Sequence, residues 1–565
     1  MKAYINVFII FVGFALPFLC IGQLSDFKDT LSDPSFVSPI DHKIRLAGSF
    51  GELRSNHFHA GIDIKSSKGE EGDVIRASDA GFVSRIKIQR GGYGQVLYID
   101  HPSGYTSVYA HLQAFAPSLH SFIIAQQYAN KSYEVDIYPE PGKFAFEQGA
   151  IIGKMGNTGR SYGPHLHFEI RETITEIPVN PYLFEIGPTD KKSPLLYAVE
   201  AHGLDNEHRK IWSSVIDKNG DRPVIEIPAW RAGLAIQTFD QMDGADNKNG
   251  IYSIEMHVDD SLHFSHVMEK VGFHVTRYIN SHIDYSEKIS NNRTLTKCYV
   301  APGNKLDFYP QVKNFGEIKL FKNEARKVDI VIKDFAGNET TYACLLKRRD
   351  AKEGEIKQPT FQKFLKYNEE NNFKLGSSRF YFPKNALDKN SFISYEEQES
   401  DGQLCFSLNK KDDPMFSYPI VSVPVLSSID SSLYEKVMLI HEEKISFGGH
   451  VEGDSLRVRI GNFGKYCVIA DTIAPTIEVG SFLAKAKGKP YFRFAIYDNY
   501  DVKGFASDIK YDVFIDGEWT IAPLKALGNV LIVPLDDVSS GKHSIKIKIE
   551  DQAGNVTIWE RSFEN

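Results

Sequence analysis

The sequence predicts a mainly β fold, with one small antiparallel β-sheet domain followed by β-sandwich modules of immunoglobulin-like type. Residues 44–172 contain short apolar-alternating runs separated by glycine-rich turns, which is typical of β-strands. After about residue 188 the alternation continues, but the glycine-dense character is lost. A strand–turn–strand unit then occurs twice, at 327–347 and 542–563. Because 565 residues are too many for one core, several domains are expected.

The first strands are the easiest to place. The run "GFVSRIKIQRGGYGQVLYIDHPSGYTSVYAHL" (81–112) gives three alternating segments broken by Gly-Gly and Pro-Ser-Gly turns, which predicts a β-meander. "GKFAFEQGAIIGKMGNTG" (142–159) adds a short strand and a glycine-rich loop. No long helical periodicity is present between residues 44 and 172.

The repeat organises the rest of the chain. "KVDIVIKDFAGNETTYACLLK" and "KHSIKIKIEDQAGNVTIWERSF" both place a D-x-A-G-N turn between two alternating strands. Upstream, "IEMHVDD" (254–260) matches "YDVFIDG" (511–517). We therefore expect a β-sandwich module with an insertion, a β-rich module, and a final immunoglobulin-like module. Their predicted bounds are 188–350, 351–470 and 471–565.

The N-terminus indicates export. Lys2 is followed by an almost unbroken apolar run to Ile21 and then Gly22, which is typical of a secretory signal covering residues 1–22. The first mature domain would then be 23–187. A retained membrane anchor is the alternative, which Asn6 and Pro17 disfavour. No later stretch has the length of a membrane span, so we expect none after signal cleavage.

Charge and cysteine usage narrow the class further. The net charge of −8 has no long like-charge runs, which argues against a nucleic-acid partner. The four cysteines after the signal are far apart and form no C-x-x-C pair, so a cysteine zinc site is not expected. One or two disulfides would fit an oxidising compartment, but the spacing does not give the pairing.

Three histidine motifs lie in the first domain. In "GPHLHFEI" (163–170), strand alternation places His165 and His167 on the same face. In "NHFHAGIDIK", Gly61 permits a turn that can bring His59 and Asp63 together. In "SVYAHL", His111 ends an alternating strand. Two histidines with one carboxylate are a hydrolytic zinc set, which leaves the fourth zinc position open.

The combination of "HFHAGIDI", "VYAHL" and "GAIIGKMGNTGRSYGPHLHFEI" resembles the LytM-type (lysostaphin-type) zinc metallopeptidases, which cut peptide bonds in bacterial peptidoglycan. The resemblance covers residues 44–172 and implies a small antiparallel β-domain with a groove across its sheet. It also implies that His59, Asp63 and His167 bind one Zn²⁺ per chain. His111 and His165 would be the paired catalytic histidines.

The resemblance implies an exported zinc endopeptidase of the periplasm or cell envelope, or a secreted one, that hydrolyses stem peptides or cross-links of peptidoglycan. The alternatives are a non-catalytic regulator of other wall hydrolases and an envelope scaffold. The presence of all five site residues favours the enzyme. Peptidoglycan peptides are the expected partner, and other envelope proteins are a second expected class, bound through the C-terminal modules.

The segment 113–141 is longer than the family pattern requires. Its aromatic residues and its start beside His111 indicate a lid or wall of the groove. The alternative is a β-hairpin or short helix that extends the fold away from the groove. The modules after residue 188 are expected to contribute targeting rather than chemistry.

Overall fold

The computed structural model describes most of the chain after residue 33. The predicted signal, residues 1–22, lies outside the described residues. In the described part of the chain, no helix is both long and apolar enough to cross a bilayer. The description covers residues 34–565 except 217–220, 357–359, 401, 443, 487–488, 503–508 and 526.

The N-terminal domain consists of short strands in two main sheets and one helix. Its larger sheet has nine strands, and a second sheet has three. A short 3-10 helix, Pro181–Phe184, follows the last strand. The elements are β1 (Leu46–Gly48), β2 (Leu53–Arg54), β3 (His57–Phe58), β4 (Ile62–Lys65), β5 (Val74–Arg76), β6 (Gly81–Ile88), β7 (Gln95–Asp100), β8 (Tyr105–Ala110), β9 (Leu112–Phe115), α1 (Pro117–Asn130), β10 (Val135–Ile137), β11 (Ala145–Phe146), β12 (Ile151–Met155), β13 (His165–Glu172) and β14 (Pro178–Val179).

The order of strands in the larger sheet brings the three histidine motifs together. The order is β1-β4-β13-β8-β7-β6-β10, so β13 lies between β4 and β8. In the antiparallel register, His167 is opposite Asp63 on one side and Ala110 on the other. The predicted meander is confirmed, because β6, β7 and β8 pair in sequence.

The segment 113–141 contains a helix, α1, which is one of the two forms named in the alternative interpretation of this segment. Pro117 begins α1 at a position where proline is favoured, and Leu119, Ile123 and Gln127 are buried at four-residue spacing. After the helix, β10 pairs with β6 at the sheet edge far from β4. The alternative interpretation, a short helix that extends the fold, describes this segment better than a lid does.

The remaining strands form three modules with separate cores. The helical elements there are short: Thr276–Tyr278, α2 (Ile279–His282), α3 (Tyr285–Asn291), Asn314–Gly316 and Ser431–Lys436. Residues 195–348 form β15 (Leu195–Leu204), β16 (Lys210–Ile216), β17 (Val224–Ile227), β18 (Arg231–Phe239), β19 (Ser253–Val258), β20 (Ser261–Val267), β21 (Thr296–Lys297), β22 (Gln311–Val312), β23 (Ile318–Lys319), β24 (Ala325–Lys333) and β25 (Glu339–Arg348).

The last two modules continue the same architecture. Residues 363–470 form β26 (Lys363–Leu365), β27 (Asn371–Leu375), β28 (Ser378–Phe382), β29 (Ser391–Ile393), β30 (Tyr395–Ser400), β31 (Gln403–Leu408), β32 (Ile420–Pro424), β33 (Val437–His441), β34 (Ile445–Ser446), β35 (His450–Glu452), β36 (Ser455–Arg459) and β37 (Gly464–Ala470). Residues 476–564 form β38 (Thr476–Ala486), β39 (Lys489–Tyr497), β40 (Asp501–Val502), β41 (Lys510–Ile515), β42 (Glu518–Trp519), β43 (Leu524–Lys525), β44 (Val530–Pro534), β45 (Lys542–Glu550) and β46 (Val556–Glu564).

These modules confirm the predicted mainly β fold class. The two D-x-A-G-N turns close the hairpins β24–β25 and β45–β46, and the glycine of each turn has a positive φ, 88° at Gly337 and 76° at Gly554. One disulfide joins Cys405 to Cys467 across β31 and β37. The other two described cysteines are free and buried.

The N-terminal domain shares its core with the module that follows it. Phe58, next to His59, packs edge-on against Phe308 at 5.3 Å between ring centroids, and its backbone N–H donates to Thr276 Oγ1 at 2.9 Å. Met268 and Leu306 belong to the same apolar cluster as the sheet of the first domain. The module of residues 195–348, called the second module below, therefore supports β3, the strand that precedes His59. This role goes beyond the targeting function expected from the sequence.

Candidate metal centre

His59, Asp63 and His167 form one buried cluster on the face of the larger sheet. His59 Nε2 lies 3.0 Å from Asp63 Oδ1 and 3.0 Å from His167 Nδ1, and the latter two atoms are 2.9 Å apart. Each residue offers one donor atom to the same point. Two imidazole nitrogens and a carboxylate oxygen in this arrangement can hold a metal ion.

The local backbone explains why residues four apart in sequence meet. β3 ends at Phe58 and β4 begins at Ile62, so His59 and Asp63 are not on one continuous strand. Gly61 lies between them and packs directly on β13. A Cβ there would approach the carbonyl oxygen of Phe168 to 2.2 Å, so this close approach requires glycine.

Hydrogen bonds on the outer side of each ligand ring determine which nitrogen faces the cluster. The Nδ1 of His59 is 2.7 Å from the Ser49 carbonyl oxygen, and the Nε2 of His167 is 2.7 Å from Glu169 Oε1. Both acceptors require a ring N–H, so we assign the proton to these nitrogens. His59 then presents Nε2 to the cluster, and His167 presents Nδ1.

His111 and His165 lie side by side at the rim of the cluster, with ring centroids 4.7 Å apart. The Nδ1 of His111 bonds to the Thr158 carbonyl oxygen at 2.8 Å, and the Nδ1 of His165 bonds to the Gly163 carbonyl oxygen at 2.8 Å. Each ring therefore keeps Nε2 available. His165 Nε2 is 3.5 Å from Asp63 Oδ1, which places it next to the cluster.

The conformation and charge state of His111 are unusual. Its φ of 61° lies in the left-handed region, where histidine occurs more often than most residues but still at a cost. Burial, together with repulsion from His165 and His167, lowers the pKa of His111 to about 3. The imidazole is therefore neutral near pH 7.

The charges around Asp63 keep its carboxylate ionised. Burial opposes ionisation, but the neighbouring imidazoles of His59, His165 and His167 hold the pKa of Asp63 well below its usual range. Its second oxygen, Oδ2, accepts a hydrogen bond from Arg54 at 3.0 Å, and Arg54 also contacts Glu52 at 3.1 Å. One oxygen of Asp63 thus remains for the cluster.

Sequence reasoning missed Glu169, which links the cluster to the rest of the sheet. Glu169 is completely buried and accepts hydrogen bonds from His167, from Arg171 at 2.6 Å and from the Tyr93 hydroxyl. Burial opposes its ionisation, but Arg171 and His167 lower its pKa to about 2. A signal was present in "HLHFEIR", where strand alternation places 165, 167, 169 and 171 on one face.

Replacing Glu169 with glutamine is expected to weaken metal binding by about 10–100-fold, because the ligand ring of His167 loses its charged acceptor. Competition with a chromophoric zinc chelator measures the affinity. The matched control is Glu172→Gln, at the end of the same strand and on its opposite face, which should leave the affinity unchanged. Equal affinities for both variants and the unsubstituted protein would contradict this role for Glu169.

The sheet carries a His–Asp–His cluster whose donor atoms could hold a metal ion. Residues 57–132 and 140–181 match peptidase family M23, and residues 362–471 match the Zu5-like domain. The domain of residues 57–181 is therefore similar to the LytM-type peptidases of family M23.

Individual relatives agree with this family. DD-carboxypeptidase/endopeptidase Mpg of Neisseria meningitidis serogroup B is 34% identical over 142 residues, which cover 24% of this chain and 26% of that protein. An uncharacterized metalloprotease of Haemophilus influenzae is 29% identical over 157 residues, 27% of each chain. The chain thus matches about a quarter of the length of these curated relatives.

Among solved structures, the catalytic domain of lysostaphin from Staphylococcus simulans is similar at 19% identity, with a TM-score of 0.19. The match covers 25% of this chain and 91% of that domain.

Proposed function

We propose that this protein is an exported zinc endopeptidase that hydrolyses peptide bonds in peptidoglycan stem peptides or cross-links. The observation that carries the proposal is the convergence of donor atoms at the cluster. His59, Asp63 and His167 direct one atom each to a common point, while the outer nitrogen of each imidazole is held by a hydrogen bond.

The residues present fit a zinc ion. The donors are two imidazole nitrogens and one carboxylate oxygen, a ligand set found in hydrolytic zinc enzymes. The three atoms lie 2.9–3.0 Å from one another, and none of the three ligands is a cysteine. We assign one Zn²⁺ per chain to these ligands. Zinc bound there would act as a Lewis acid toward a peptide carbonyl and toward water.

The paired histidines, His111 and His165, are proposed to transfer a proton from water and to stabilise the negative charge that develops on the substrate oxygen. His111 has its Nδ1 bonded to the Thr158 carbonyl oxygen and its Nε2 directed away from that bond, so Nε2 can accept a proton from water as a general base. In its imidazolium form, with Nδ1–H bonded to the Gly163 carbonyl, His165 can donate a hydrogen bond from Nε2 to the oxygen that becomes negative when the carbonyl is attacked. Because each Nδ1 is fixed by a backbone carbonyl, neither ring needs to reorient during the reaction.

Several observations support export and a wall substrate. The N-terminal residues have the pattern of a secretory signal. The Cys405–Cys467 disulfide is consistent with an oxidising compartment outside the cytoplasm. The relative from Neisseria meningitidis is named as a DD-carboxypeptidase and endopeptidase, and peptidoglycan peptides are therefore the substrate class to test first.

Digestion of purified peptidoglycan tests the proposal. The zinc-loaded protein is expected to release muropeptides with new peptide ends, which mass spectrometry identifies, whereas the His59→Ala variant is expected to release none. If a zinc-loaded protein cut no wall peptide but accelerated a second wall hydrolase, the regulator alternative would replace the peptidase.

A further inference from the structure

A second acidic cluster lies outside the peptidase site, where the first domain meets the next module. Asp190, Asp240 and Asp334 each place a carboxylate oxygen within 4.8 Å of the others. They come from three parts of the chain: the segment before β15, the residue after β18, and the D-x-A-G-N turn after β24. The cluster is therefore assembled only in the folded protein.

Asp240 is the member of the cluster that most strongly indicates a bound ligand. Asp240 is buried, with only 1% of the residue exposed, and neither of its carboxylate oxygens has a hydrogen-bond partner among the described residues. The backbone amide of Gln241 approaches it but does not reach hydrogen-bond geometry. An unpartnered buried carboxylate beside two others is costly, because desolvation and like-charge repulsion add. Either a proton on Asp240 or a bound cation would relieve this cost.

The carboxylates of Asp190 and Asp334 are fixed by hydrogen bonds from backbone N–H groups and from a side-chain amide. Asp190 Oδ1 accepts backbone N–H bonds from Lys191 at 2.8 Å and Asp243 at 3.0 Å, while its Oδ2 is buried without a partner. Asp334 accepts from the Asn338 backbone N–H at 2.8 Å and from its side-chain amide at 2.7 Å. These bonds fix the carboxylates but do not neutralise them.

No basic side chain is paired with any of the three carboxylates within the described ranges. The charge of Lys192 acts on Asp240, but its ammonium donates a hydrogen bond to the Met242 carbonyl oxygen at 3.4 Å. Burial, followed by repulsion from Asp334 and Asp190, raises the pKa of Asp240 to about 7. A divalent cation bound here would favour the ionised form of all three carboxyls and balance two of their negative charges, with the Lys192 ammonium nearby.

We propose that Asp190, Asp240 and Asp334 bind a Ca²⁺ ion at the junction between the peptidase domain and the second module. The donors are all oxygens, which suits a hard cation and disfavours zinc. Ca²⁺ also tolerates irregular geometry and completes its shell with backbone carbonyls and water, whereas Mg²⁺ demands an octahedron.

The position of the cluster gives the ion a structural consequence. Tyr182, in the 3-10 helix that ends the first domain, packs on Phe335 of the D-x-A-G-N turn at 5.1 Å and donates to Met242 Sδ at 3.2 Å. The same turn carries Asp334. A bound cation would therefore tie the linker residue Asp190 to both sheets of the module and stiffen the junction beneath the peptidase domain.

The last module has a similar group of three aspartates, but none of them has a buried carboxylate oxygen without a hydrogen-bond partner in the described part of the chain. Asp471, Asp498 and Asp551 also converge, and Asn555 holds Asp551 as Asn338 holds Asp334. There, however, Asn499 donates to Asp471 Oδ1 at 3.0 Å. The proposal therefore concerns the first cluster only.

Calcium titration of the full-length mature protein tests the site. With zinc loaded first, isothermal titration calorimetry is expected to show one more Ca²⁺ per chain in the unsubstituted protein than in Asp240→Asn. Millimolar Ca²⁺ should raise the unfolding temperature of the unsubstituted protein by about 3–10 °C. Without Ca²⁺, Asp240→Asn should unfold at a higher temperature than the unsubstituted protein, because the substitution removes repulsion.

Three controls make the outcome decisive. Asp246→Asn changes an exposed aspartate six residues away in the same loop and should keep the full Ca²⁺ response. Mg²⁺ at equal concentration should give a smaller shift. His59→Ala should also keep the Ca²⁺ response, so failure of this site is distinguishable from failure of the zinc proposal. Equal Ca²⁺ stoichiometry and equal shifts for Asp240→Asn and the unsubstituted protein would overturn the proposal, as would no Ca²⁺ binding to either.

Discussion

Replacing Asp63 with alanine is expected to remove zinc from the purified protein and to abolish hydrolysis of wall peptides. Asp63 Oδ1 lies within 3.0 Å of the donor nitrogens of both His59 and His167. It supplies the only negative charge among the three proposed ligands. Its loss would also leave the Arg54 guanidinium facing the cluster without its partner at 3.0 Å, which adds repulsion toward a dication.

Elemental analysis of the purified variants measures this effect. The unsubstituted protein should carry about one zinc per chain, and Asp63→Ala should fall below about a tenth of that. Asp136→Ala is the matched control, because this partly exposed aspartate lies on the edge strand β10 and pairs with Arg85 instead. Full zinc occupancy in Asp63→Ala would remove Asp63 from the site.

Strand alternation made much of the site predictable. The two histidines of "HLHFEI" share a face because side chains alternate along β13, and turn residues marked the ends of the meander strands. His59 and Asp63 can meet because the strand is interrupted between them, and Gly61 indicated that interruption in the sequence. These features are predictable because each of them depends on only a few consecutive residues.

Other features depended on long-range packing. Helix α1 has only a weak apolar stripe, so its buried residues give little periodic signal. The contact between Phe58 and Phe308 joins residues 250 positions apart, and the Asp190–Asp240–Asp334 cluster joins three distant segments. The local sequence of one segment does not predict these contacts, because they depend on how whole sheets are arranged relative to one another.

The paired histidines at the rim should be separable from the metal ligands by their effect on zinc. Replacing His165 with alanine is expected to leave about one zinc per chain while lowering turnover by about 10²–10⁴-fold, the range for loss of a general acid or base. His111 requires a different substitution. Its φ of 61° strains alanine, so His111→Asn is preferred, because asparagine tolerates this backbone conformation. The same pattern, zinc retained and turnover lost, is expected.

Zinc content and kinetics on one soluble wall peptide, measured on the same preparations, decide between the roles. His167→Ala is the reference that should lose both zinc and activity. Added imidazole should restore part of the turnover of His165→Ala, since a free ring can occupy the space beside His111, but it should not restore His167→Ala to normal zinc content. His165 Nε2 is only 3.5 Å from Asp63 Oδ1, so His165 is close enough to the cluster to be a metal ligand itself. The experiment tests that assignment directly. If His165→Ala lost zinc as readily as His167→Ala, His165 would be a ligand and the proposed division of roles would be reversed.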